Sequence, residues 1–109
     1  MSERGRAWLS ARAGAVPPSL EARMETAIDR VLEYDTIHEM LADAARICLR
    51  EALADPDSRA AALSLLAADA LVTYACEAAA QGDGAALREL AQAWSPERLA
   101  YLIDGEAAP

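Results

Sequence analysis

One stretch constrains the fold more than any other. Residues 56–81 contain no glycine and, after Pro56, no further proline. Leu63, Leu65, Leu66, Leu71, Val72 and Tyr74 lie at angles spread around a 3.6-residue turn, so the segment is apolar on nearly every side. Period-two alternation is missing, which argues against a strand and for a helix. A helix apolar all round is expected to be covered all round. In a chain of 109 residues, that calls for a ring of other helices or a second subunit.

Composition points the same way. Hydrophobic residues make up 54% of the chain, alanine is the commonest by a wide margin, and phenylalanine is absent. Alanine and leucine favour helix, while the β-branched and aromatic residues that fill sheets are sparse. The expected fold is all-α: a compact bundle of four to five helices, oligomeric through the segment at 56–81.

The punctuation divides the chain. Gly5, Gly14 and the Pro17–Pro18 pair interrupt any long helix, so residues 1–18 read as a flexible N-terminal tail and residues 19–105 as a single helical domain. Ser19 is placed to cap a first helix, whose stripe of Leu20, Met24, Ala27, Ile28, Val31 and Leu32 runs to Tyr34–Asp35. Thr36-x-x-Glu39 has the form of a capping box and starts a second helix, ending near Ala54. One unbroken helix from Leu20 to Ala54 would span about 50 Å, too long for a domain this size, so two are expected. Asp55–Pro56 reads as the cap and first residue of the third, which stops at Gly82 in a left-handed terminator. Asp83–Gly84 opens a fourth helix over Ala85–Trp94, and Ser95-Pro96-Glu97 a fifth over Pro96–Ile103.

Charge bears on partners. The formal net charge is −8, and all ten basic residues are arginine. Arg4, Arg6 and Arg12 against Glu3 give residues 1–18 a local +2, so the remainder carries −8 − 2 = −10. An acidic body repels phosphate backbones, so neither nucleic acid nor an anionic membrane is expected as a partner. Residues 1–18 lack the continuous apolar core of a secretory signal. Asp69 and Glu77 interrupt the most apolar window, at roughly 5 kcal/mol against insertion in a bilayer. A cytoplasmic location is the expectation. Cys48 and Cys76 lack Cys-x-x-Cys spacing and read as reduced core thiols.

Two polar constellations are candidate sites. Asp35 and His38 stand at i, i+3, a spacing like the Glu-x-x-His pairs of di-iron bundles, though present once where those proteins use it twice. Asp69, Thr73 and Glu77 lie at i, i+4 and i+8 on the apolar helix. The line is structural if it faces solvent, or if it faces inward and its carboxylates pair with Arg46, Arg50 or Arg59. A small polar pocket, or a cation such as Mn, Fe or Zn held with His38, would make Asp35, His38, Asp69, Thr73 and Glu77 a ligand or metal site. The structural version is preferred, and no metal or other cofactor is assigned.

Catalytic motifs are sparse. There is no Gly-x-Ser-x-Gly elbow, no lysine and no glycine-rich phosphate loop. Cys48 is ten residues from His38 on one helix, about 15 Å along its axis. No catalytic residue is assigned, and an enzyme is not favoured.

Leu87-Arg88-Glu89-Leu90-Ala91 followed by Ser95-Pro96-Glu97-Arg98-Leu99 resembles the helix-turn-helix of bacterial repressors. The resemblance covers about a fifth of the chain and would imply DNA binding through the second helix. It departs at the turn, where only Gln92–Trp94 intervene and the turn glycine is missing. Glu97 and Arg98 leave that helix nearly neutral, which suits DNA poorly. The expected role is therefore a small acidic interaction or regulatory module that self-associates as a homodimer and meets a protein partner. A helical ligand- or metal-binding bundle is the alternative.

Overall fold

Capping residues and alanine-rich stripes organise the chain as a series of helices. The computed structural model describes residues 3–12, 14, 16–32, 36–82 and 84–104. Among them run six helices: α1 (Glu3–Arg12), α2 (Pro18–Asp29), α3 (Ile37–Ala54), α4 (Arg59–Ala80), α5 (Gly84–Ala93) and α6 (Pro96–Asp104). The all-α expectation is met. Helices α2–α6 are the five expected between residues 19 and 105, and α1 is an addition.

The core lies between α3 and α4, the most extensively packed pair. Ala44, Ala45 and Cys48 of α3 are buried with Ala67, Ala68, Leu71 and Ala75 of α4. So many small side chains let two helices approach closely without voids. Met24, Ala27 and Ile28 of α2 add to this core, as do Leu90 of α5 and Leu9 of α1.

Between α2 and α3 the chain does break. Arg30 closes α2, and the Thr36 hydroxyl accepts from the Glu39 amide at 3.3 Å to cap α3. The same hydroxyl donates to Glu39 Oε1 at 2.6 Å, tying cap and third residue together. The longest extent of the fold is 34 Å, which would not contain an unbroken helix of ~50 Å.

Several boundaries differ from expectation. Residues 1–18 are no bare tail, because α1 occupies 3–12 with Leu9 only 1% exposed. Gly5, read as a helix breaker, is a buried helical residue. The hold is tertiary: Arg6 pairs with Glu25 and Asp29 of α2, both at 3.2 Å, and the Trp8 ring meets Tyr74 edge to face at 6.1 Å. Pro17, not Ser19, is the N-cap of α2, with Pro18 as its first residue and the Pro17 carbonyl accepting from Glu21.

Asp55–Pro56 does not start α4. Asp55 ends α3, its carbonyl accepts from the Ser58 amide at 3.1 Å, and Ser58 caps α4 by accepting from the Ala61 amide at 3.0 Å. Aspartate then proline suits the first two positions of a β-turn as well as a helix start. Here the turn wins, and Pro56 lies outside the helix. Ser95 does cap α6, with Pro96 in its first position. Gly82 follows α4 without left-handed backbone.

Candidate functional site

The two expected constellations lie on different helices, His38 on α3 and Asp69, Thr73 and Glu77 on α4. Asp35 lies outside the described residues. Asp69, Thr73 and Glu77 do form one line, but it is exposed, on the side of α4 opposite Ser64, Ala68, Leu71 and Ala75. The Thr73 hydroxyl donates back to the Asp69 carbonyl at 3.0 Å. Glu77 Oε2 accepts from Arg12 Nε at 2.5 Å, so its partner comes from α1 and not from Arg46, Arg50 or Arg59. His38 is half-buried at the start of α3, lining one cleft with Glu39 and Asp43 and another with Trp8 and Gln81. Among the described residues no three His, Cys, Asp or Glu side chains converge as a metal site.

The outward face of α4 is unlike the side of a covered core helix. Leu65 and Leu66 are 54% and 59% exposed, neighbours in its N-terminal half. Ala62, Asp69, Thr73, Cys76 and Ala80 continue the same exposed face. All-round apolarity was expected to mean all-round burial, but α1, α2, α3 and α5 cover only part of α4. By length and composition alone α4 could cross a membrane, and a third of its most apolar window is buried inside the fold.

A second feature is a pair of adjoining clefts along α3. The first, of about 260 Å³, lies between α3 and α5 and is lined by His38, Asp43, Arg46 and Glu89. The second, of about 420 Å³, is walled by α3, α5 and α6. Arg46 and Arg50 enter it from α3 at i, i+4, and Arg98 from α6. Trp94 and Tyr101 supply aromatic walls, and Glu89 is the acid lining it. The Arg46 guanidinium stands over the Trp94 ring, 5.4 Å from its centre, and reaches Asp43 at 3.7 Å. Trp94 Nε1 is buried with no hydrogen-bond partner among the described residues.

Sequence reading named Arg46 and Arg50 only as counter-ions for α4 and gave Arg98 to a DNA-facing helix. Their spacing on α3 was visible, but the return of α6 onto α3 was not. The thiols also part company: Cys48 is buried and Cys76 exposed. Burial pushes the Cys48 thiol up to about 11, helped by the nearby Glu51 charge. Comparison with known families, with curated proteins and with solved structures finds no match to this chain.

Proposed function

We propose that the chain is a small helical interaction module that self-associates through the outward face of α4. The observation that carries this reading is the adjacent, exposed Leu65–Leu66 pair in the N-terminal half of the longest helix. Two large aliphatic side chains in water lose the stabilisation that burial would bring, about 1.5–3 kcal/mol each when burial is complete. A second copy of α4 would recover it. Ala62, Thr73, Cys76 and Ala80 on the same face are small enough to let that copy come close. Asp69 sits in the middle of the face and opposes the pairing, because two copies bring like charges together. The association is therefore reversible and held by the leucines at its margin.

Cys76 offers a direct test, because it lies exposed on this face. Its rate of alkylation should fall as protein concentration rises, and Leu66→Asp should abolish that dependence. A rate independent of concentration from the low micromolar to the millimolar range would overturn the reading.

A further inference from the structure

The second cleft on α3 is electrostatically at odds with the rest of the chain. Acids outnumber arginines by eighteen to ten, and most arginines outside the cleft spend their charge on neighbours. Arg6, Arg12, Arg23 and Arg30 each reach a carboxylate at 2.5–3.2 Å. The cleft is lined by three arginines, Arg46, Arg50 and Arg98, and by one acid, Glu89. Among the described residues neither Arg50 nor Arg98 has a carboxylate within ion-pair distance, and Arg46 has only the long contact to Asp43. Three like charges around one concavity repel, and an anion seated between them removes that repulsion.

We infer that this cleft binds a small organic dianion carrying a flat ring, of the aryl or nucleoside phosphomonoester class. Guanidinium forks match phosphate oxygens two at a time, and forks approaching from α3 and α6 can grip one phosphate from two sides. A bare phosphate would leave most of the ~420 Å³ unfilled. The rest of the lining is Gln92, Ala93, Leu99 and two aromatic side chains, Trp94 and Tyr101, which suit packing against a planar group. A polyanion fits less well, since the surface beyond the cleft belongs to a body of net charge −8. The site is independent of the α4 face, so either can fail without the other.

The test is isothermal titration calorimetry of the full chain with phenyl phosphate, and with inorganic phosphate in a parallel arm. Phenyl phosphate should bind saturably at one site per chain and at least several-fold tighter than inorganic phosphate. Arg50→Ala and Arg98→Ala each remove one exposed guanidinium without entering the core, and each should weaken binding about tenfold, the loss of one charge-assisted contact. Circular dichroism should stay unchanged in both variants. Absence of saturable binding below about 10 mM would overturn the inference. So would binding indifferent to both substitutions, or equal affinity for the two probes.

Discussion

Arg23 donates to the buried hydroxyl of Ser64 through both Nε, at 3.0 Å, and Nη2, at 2.5 Å, joining α2 to α4. Ser64 is the one buried polar side chain among the described residues, at 1% exposure, on a stripe otherwise made of Ala and Leu. The same guanidinium pairs with Glu51 of α3 at 2.8 Å, and Glu51 in turn holds Arg30 at 2.5 Å. Three helices thus meet on one arginine.

Removing that arginine leaves Ser64 without a partner in the core. Arg23→Ala should therefore cost about 1–3 kcal/mol, chiefly from the orphaned hydroxyl, since partly exposed ion pairs contribute under ~1 kcal/mol. Ser64→Ala should cost less, because Glu51 still satisfies the arginine. In the Ser64→Ala background the cost of Arg23→Ala should shrink. Urea unfolding of the two single variants and the double variant measures this. Equal cost in both backgrounds would show that the hydroxyl contributes nothing to the junction.

Leu9 tests whether α1 belongs to the fold in solution. Its side chain is buried against the core, so Leu9→Ala should destabilise by about 2–3 kcal/mol. An undocked segment would give a change within ~0.5 kcal/mol. Thermal unfolding separates the two outcomes.

How far the sequence could be read follows from which forces are local. Thr36, Ser95 and the stripes of α2 and α3 were legible because a cap or an amphipathic period acts within a few residues. The α1 helix was not, since Trp8 and Leu9 make no stripe and its ion pairs join residues about twenty or more positions apart, Arg6 to Asp29 and Arg12 to Glu77. The Asp69–Thr73–Glu77 line is legible as a line, but which way it faces is not. Nothing within α4 distinguishes Leu65 and Leu66, which face out, from Leu71, which faces in. The cleft of Arg46, Arg50 and Arg98 depends on α6 folding back onto α3, a long-range event with no local signature.

Cys48 couples stability to alkaline pH. Its thiol is pushed up from 9.0 to about 11 in the fold, first by burial, so the protonated form is favoured in the native state. That contribution is complete below about pH 9 and is lost as pH rises toward 11. Stability measured across this window should fall more steeply for the native sequence than for Cys48→Ala. At neutral pH and high dilution, a thiol reagent should modify Cys76 quickly and Cys48 only on unfolding. Two equally fast thiols would contradict the buried position of Cys48.

Self-association through α4 is tested most directly by mass. Light scattering at tens of micromolar should give twice the 11.6 kDa of one chain, or more, and fall toward 11.6 kDa on dilution. Leu66→Asp should remain at 11.6 kDa with an unchanged helical spectrum, because the new charge enters water and not the core. Asp69→Asn should shift the balance the other way and hold the assembly together at greater dilution, by removing the like charges that meet across the face. A native protein at 11.6 kDa throughout, unmoved by either substitution, would contradict the account.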